Sequence, residues 1–257
     1  MEINLIGFDI TLGKQKPENI INKENACPFC DREHLTDIID TDGDIILLKN
    51  KFNVLEDADQ FVLIEGKNCQ SDMPYYTKDY MHRLMHFAIR HWQALMDSGK
   101  YRTVIFFKNY GPMSGGTIRH PHMQLVGFRR LDEQLLFDPK EFLGIPIDQK
   151  NGVVFNLSTY PRIGFCEFNI VPESNDLIND TADYIQIAVD YIMHHFSRRC
   201  TSYNIFFYSD HGRMRAKIMP RFPTSPLFIG YNIPFRPHNL EAIGAHVEPL
   251  FDTLDGT

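Results

Sequence analysis

The residues best equipped for chemistry lie close together between Asn109 and Phe128, in the run N-Y-G-P-M-S-G-G-T-I-R-H-P-H-M-Q-L-V-G-F. Within it His120, His122 and Gln124 alternate. Alternate residues of a strand share a face, so two imidazoles and a carboxamide point one way while Met123 and Leu125 point the other. Just ahead stand Gly111, Gly115 and Gly116, where the backbone can take unusual angles and come close to a ligand. Imidazole is neutral near pH 7 and acts as both nucleophile and leaving group. These parts together make a phosphate-handling surface, set against the plainer reading of a strand with two surface histidines beside a long turn.

A second constellation lies upstream, at Cys27-Pro28-Phe29-Cys30. A C-x-x-C is a metal knuckle or a redox motif. The redox reading wants a thioredoxin-like βαβ context, which this stretch lacks, so metal is favoured. Two thiols supply half a tetrahedral site, and two further ligands must come from elsewhere. His82, His86 and His91 offer a spacing of four between the first two, but no acidic or cysteine partner accompanies them. They read as solvated or core-flanking histidines.

The elements that must position these groups follow from periodicity. Thr103 to Phe107 has the β-branched and aromatic content of a buried strand. Ahead of it a helix is predicted from about Tyr80 to Asp97, capped by Thr77, with Met81, Leu84, Met85, Ala88, Trp92 and Leu95 as its apolar stripe and Gly99 as its end. Strands are expected at Ile45 to Leu48, Phe61 to Ile64, Val153 to Leu157, Phe165 to Val171, Tyr203 to Tyr208 and Met214 to Met219. A weaker one is expected at Ile3 to Ile10, and Arg129 to Gln149 reads as a loop with a short helical piece. A second helix spans about Thr181 to Phe196, with Ile185, Val189, Ile192 and Phe196 on one face. Pro220 to Pro237 reads as an irregular cover over the sheet or a dimer contact.

The pattern repeats. Ile105-Phe106-Phe107 and Ile205-Phe206-Phe207 share a context of helix, strand, glycine turn and strand, which predicts a duplicated α+β unit joined into one sheet. The halves are drawn at residues 1–150 and 151–257.

The H-P-H-x-Q core, with Asn109, Gly111 and Gly115 at matching spacing, resembles the active-site strand of the galactose-1-phosphate uridylyltransferases, a branch of the histidine triad superfamily. The resemblance covers most of the chain and implies two fused histidine triad-like halves. It implies that His122 is the covalent nucleophile, that His120 is a metal ligand and that Gln124 holds the substrate phosphate. Asn109 and the glycine-loop residues Gly115, Gly116 and Thr117 become substrate contacts. Asn50 and Phe52, after the strand Ile45 to Leu48, match residues that lie against the nucleoside, with core packing of Phe52 as the alternative. Cys69 stands where the family usually has a histidine ligand. The implied set is therefore Cys27, Cys30, Cys69 and His120 around a structural zinc, with His34 as the competing ligand. In the second half Arg215 and Lys217 replace an H-x-H that serves another metal in many relatives. They become a phosphate anchor or a solvated basic edge, and galactose specificity is put in doubt.

Composition narrows the remaining classes. Thirty-three acidic against 26 basic residues, a net charge of −7, argue against a general nucleic-acid binder, which needs a basic face. No apolar run reaches membrane-spanning length, and the N-terminal stretch lacks the basic region of a signal peptide. Five cysteines, an odd number, fit a reducing cytoplasm better than a disulfide framework. The function expected is nucleotidyl transfer from a nucleoside diphosphate sugar or related nucleotide through a nucleotidyl-histidine, by a monomer or homodimer. Hydrolysis through the same intermediate and a non-catalytic zinc-stabilised nucleotide sensor are the alternatives, and a sensor has no need of a nucleophile.

Overall fold

The computed structural model describes residues 5–132 and 137–254. A short helix α1 (Ile10–Gly13) precedes strands β1 (Ile38–Asp42), β2 (Ile45–Lys49) and β3 (Ala58–Ile64). Helix α2 (Lys78–Asp97) follows, then β4 (Thr103–Tyr110) and β5 (His122–Phe128). The chain then repeats itself: β6 (Gly144–Lys150), β7 (Val153–Ser158), β8 (Phe168–Pro172), helix α3 (Ile178–Asp190), β9 (Tyr203–Asp210) and β10 (Arg213–Pro220). All ten strands form one antiparallel sheet in the order β1-β2-β3-β5-β4-β9-β10-β8-β7-β6. Counted inward from its own edge, each half has the same order: three strands, then the last strand of the half, then the strand after the helix placed innermost. The halves meet where β4 and β9 pair antiparallel, as a two-fold relation between them requires.

Local chemistry accounts for these elements. Thr77 caps α2 by accepting from the Tyr80 backbone N–H at 3.3 Å, and Gly99 closes the helix end at φ +67°. The hairpins β6–β7 and β9–β10 turn on Asn151-Gly152 and His211-Gly212, two-residue pairs with positive φ at both positions, the geometry whose twist matches paired strands. Helices α2 and α3 cover one face of the sheet and form the main core with it. On that inner face Phe106 stacks on Phe207 with ring centres 4.2 Å apart, and the Trp92 indole N–H donates to the Val104 carbonyl at 2.8 Å. Lys108 is fully buried there, ion-paired to Glu65 and, at 3.2 Å, to Asp72, which also accepts from the Tyr203 hydroxyl at 2.7 Å. Among the described residues the outer face carries no helix of comparable length.

Several expectations need correction. Among the described residues of the early segment only Phe8 makes a strand-like bridge, to Leu55, and the chain is helical from Ile10; Ile3 and Asn4 lie outside the described residues. The stretch read as a loop contains β6, and β1 was not anticipated. Both are sheet edges, exposed or half-buried, and β6 contains Pro146 and charged residues, so neither shows the apolar alternation of a covered strand. Because β6 pairs with β7, the topological boundary falls between Phe128 and Gly144 rather than at residue 150. Helix α3 starts three residues earlier than expected and ends in a π-helical turn, Tyr191–Phe196. The Ile-Phe-Phe echo is out of step by one residue. Phe106 pairs with Phe207 on the inner face and Phe107 with Phe206 on the outer, so the two tripeptides cannot be superposed face on face.

Candidate active site

Strand β5 begins at His122 and lies between β3 and β4, with Ile64 opposite His122 and Phe107 opposite Gln124. Met123 and Leu125 enter the helix-side core, which leaves His122 and Gln124 on the outer face as the alternation required. His120 and Pro121 precede the strand and are held by the next turn of β3: the Glu65 N–H donates to the Pro121 carbonyl at 3.1 Å. The His120 Nε2–H donates to the Gly66 carbonyl at 2.8 Å. That bond directs the lone pair of Nδ1 at Cys27 Sγ and Cys30 Sγ, 3.6 and 3.5 Å away.

Cys69 completes the group, and the four ligand atoms of Cys27, Cys30, Cys69 and His120 lie within 4.8 Å of one another. Sulfurs about 2.3 Å from a tetrahedral ion sit a little under 4 Å apart, so the set suits a metal of that size and geometry. Burial raises both thiols of the C-x-x-C, but bonding to His120 brings Cys27 down to about 6, while Cys30, beside it, is pushed up to about 12. His34 does not join the group. It hydrogen-bonds Asp31 at 2.7 Å on the exposed rim.

The same segment fixes His122. Its Nδ1–H donates to the His120 carbonyl at 2.7 Å, which leaves the Nε2 lone pair free. Burial lowers its pKa to about 4; the bond to the His120 carbonyl opposes that shift and the Lys108 ammonium, buried behind the strand, reinforces it. Phe29 from the C-x-x-C packs edge-on against the ring, centres 5.3 Å apart.

His122 and Gln124 open into a cleft of about 390 Å³. Phe29, Leu48 and Val62 give it an apolar wall, Gly115, Gly116 and Thr117 a backbone wall, and Asn50 and Phe52 a corner. Phe52 is half-buried and lines the cleft instead of filling the core, while the side-chain Oδ1 of Asn50 accepts from the Phe52 N–H at 2.9 Å and shapes that corner. The glycine loop is braced from three sides. Gly111 stands at φ +83°, where an added Cβ would lie 2.1 Å from the Thr201 carbonyl. Met113 N–H donates to Ser202 Oγ, and the buried Asn19 donates its backbone N–H to the Thr117 carbonyl while its side chain accepts from the Arg119 N–H.

Three expected contacts lie elsewhere. Asn109 accepts from the Asn204 amide at 2.6 Å and faces a separate cavity over the β4–β9 seam. Arg215 and Lys217 sit on β10, neither solvated nor lining the cleft. Arg215 pairs with Asp210 at 3.0 Å, and the buried Lys217 pairs with Glu167 at 3.1 Å and bonds Asn169 and the Glu141 carbonyl. Lys217, Phe206, Phe107 and Gln124 form one cross-strand row, which puts Lys217 three strand spacings, about 14 Å, from Gln124. Sequence reasoning in turn missed Lys16, which lines the cleft half-buried with its pKa lowered by burial, and Asn19 and Phe29. Lys16 and Asn19 lie in a polar stretch without periodicity, so only the fold could bring them in. Phe29 was marked only by its place inside the C-x-x-C.

Comparison with known proteins follows the same lines. Two family models match, "Domain of unknown function (DUF4931) N-terminal domain" over residues 8–131 and its C-terminal counterpart over residues 134–251. The crystal structure of a DUF4931 family protein from Bacillus cereus ATCC 10987 is 40% identical, with a TM-score of 0.76, covering 84% of this chain and 99% of that one. A uridylyltransferase structure aligns at a TM-score of 0.71 and 12% identity over 90% of this chain and 92% of that one. An ADP-glucose phosphorylase from Arabidopsis thaliana with bound ADP-glucose aligns at 0.67 and 14% over 92% of each. At such identities the likeness establishes the fold alone, which this chain shares with the uridylyltransferase and the ADP-glucose phosphorylase. No curated protein matches the sequence.

Proposed function

The chain belongs to the DUF4931 family, and from that premise we propose that it is a nucleotidyltransferase working through a nucleotidyl-histidine on His122. The donor is a nucleoside diphosphate sugar or a related nucleotide. One observation carries the proposal. His122 is buried, held neutral, and tied through Nδ1 to a backbone carbonyl, so that its one free lone pair, on Nε2, faces a cleft with a glycine-rich wall. The solved relatives include a uridylyltransferase and an ADP-glucose phosphorylase, enzymes that handle nucleotides, which agrees with this reading.

The chemistry follows from those parts. Nε2 attacks the α-phosphorus and forms a P–N bond while the P–O bond to the leaving phosphate breaks and its electrons depart with that oxygen. A second phosphate then attacks the same phosphorus in line, and the imidazole leaves neutral. Charge builds on the equatorial oxygens, where the Gln124 carboxamide and the backbone N–H groups of Gly115 and Thr117 are the donors at hand, the Gly116 N–H being bonded to Ser114 Oγ. The apolar wall with Phe52 accepts the base, and Asn50 the ribose or base edge. Zinc is the metal this donor set favours. Held by Cys27, Cys30, Cys69 and His120, it supplies structural rigidity: His120 is the residue whose carbonyl orients His122.

Mass spectrometry after mixing with labelled ADP- and UDP-sugars, without acceptor, tests the proposal. A nucleoside monophosphate mass on the His122 peptide is expected. Nucleotide binding with neither adduct nor turnover would sink the enzyme reading in favour of a sensor, and an adduct resolved by water as fast as by phosphate would make it a hydrolase. One zinc per chain is expected by metal analysis, and stripping it with a chelator should lower the Tm by well over 10 °C, because a structural ion contributes directly to folding.

A further inference from the structure

A second cavity, of about 470 Å³, lies on the outer face of the sheet over the β4–β9 seam. Its floor is aromatic: Phe107 from the first half, Phe206 and Tyr208 from the second, with Phe137 beside them at 6.2 Å from Tyr208. Two arginines reach it. Arg162 is committed to Glu141 at 2.7 Å and lies over the Tyr208 ring. Arg221 is half-buried, and its side-chain partners are neutral oxygens, Asn204 Oδ1 at 2.8 Å and Thr224 Oγ1 at 3.5 Å. Among the described residues no carboxylate pairs with Arg221 and none lines the cavity. Burial pulls its pKa down with no anion to restore it. A cation left half-desolvated beside a cluster of aromatic rings is complementary to an anion that carries a flat ring.

We infer that this cavity is a second nucleotide subsite, taking a nucleoside phosphate with its base on the Phe107, Phe206 and Tyr208 floor and its phosphate against Arg221. A sugar phosphate suits it less well, because a sugar has no flat ring to lay on this aromatic floor. The glycine loop is the common wall of the two sites. Gly115 and Gly116 face the His122 cleft, while Ser114 faces the cavity and its carbonyl accepts from the Asn204 amide at 3.1 Å. Asn204 therefore links the Arg221 guanidinium to the loop that presents backbone donors to the reacting phosphate. On the nucleotidyl-transfer reading, on which this role rests, the occupant is the half of the substrate that leaves or accepts. The substrates implied are then two nucleosides joined by a polyphosphate, or a nucleotide acceptor.

Calorimetric titration of the zinc-loaded protein with AMP, and separately with UMP, counts the sites. Two nucleotides per chain are expected with at least one of them, two in His122→Ala, one in Arg221→Gln, and two again, the second weaker by about tenfold, in Arg221→Lys. Saturation-transfer NMR should connect a bound base to the Phe206 and Tyr208 ring protons, a readout that needs no variant. One nucleotide per chain with both probes overturns the second subsite and leaves the first intact, as does an Arg221→Gln protein that still binds two. No binding of either probe removes the nucleotide reading altogether.

Discussion

At the scale of single residues, the argument turns on the different work done by His120 and His122, two positions apart. His120 spends one nitrogen on the Gly66 carbonyl and the other on the thiol cluster, so it has none left for chemistry. His122 spends one on the His120 carbonyl and keeps the other. His122→Ala should retain zinc, fold and nucleotide binding, yet lose transfer by about a thousandfold or more, because no neighbour replaces the nucleophile. His120→Ala should lose zinc and soluble protein, visible in metal content and yield. Gln124→Ala should slow adduct formation by about 10²-fold while still forming it. The pH dependence carries a sign. The reactive form of His122 is the neutral one, and its pKa is lowered to about 4. Single-turnover adduct formation should therefore hold from pH 7 to pH 5, where an ordinary imidazole is mostly protonated, and fall only as pH drops through about 4. A rate that halves near pH 6.5 would show that His122 is not held neutral by its surroundings.

Among elements, β3, β4 and β5 meet at a buried charge cluster behind the reactive strand. Lys108 on β4 faces Glu65, at the end of β3, and Asp72, while Tyr76 donates to Glu65 and Tyr203 to Asp72. Glu65 also supplies the backbone N–H that holds Pro121, so the cluster braces the turn that carries both histidines. Lys108→Met should cost about 3–5 kcal/mol in denaturant unfolding, since it leaves two carboxylates buried together. Burial already raises the pKa of Glu65, and removing the ammonium raises it further. A carboxylate whose folded pKa lies above its unfolded value destabilises the fold once ionised. The variant should accordingly regain stability as pH falls from 8 to 5, whereas a purely steric defect would leave the deficit unchanged across that range.

For the molecule as a whole, the seam between β4 and β9 decides whether the halves are separable. Phe106 on Phe207, Phe107 beside Phe206 and Tyr110 on Tyr203 make a continuous aromatic contact on both faces of the sheet. Helices α2 and α3 pack on each other across the same line. Residues 1–132 expressed alone should keep helix in far-UV circular dichroism but lose the near-UV signal of the packed Trp92, because half of its core partners are gone. Co-expression with residues 133–257 should restore it. A first half that unfolds cooperatively by itself would show two independent domains instead of one duplicated sheet. No helix among the described residues is long and apolar enough to cross a membrane.

The sequence by itself determined the groups that act through short-range geometry. His120, His122 and Gln124 share a face because strand side chains alternate, and the C-x-x-C supplies two thiols because its spacing brings them together. Both long helices and the central strands were legible because each buries one face, which leaves a period in the sequence. The edge strands β1 and β6 were not, since an uncovered edge needs no apolar alternation. Only the tertiary structure decided how distant segments meet. It placed Lys16 and Asn19 against the glycine loop from 100 residues away. It withdrew Arg215 and Lys217 into carboxylate pairs far from the cleft, because a buried cation is held by the nearest anion and not by its position in a motif. It also turned the Ile-Phe-Phe echo into a pairing one residue out of step. Strand register is set by which side chains the two helices cover, and a tripeptide alone carries no information about that.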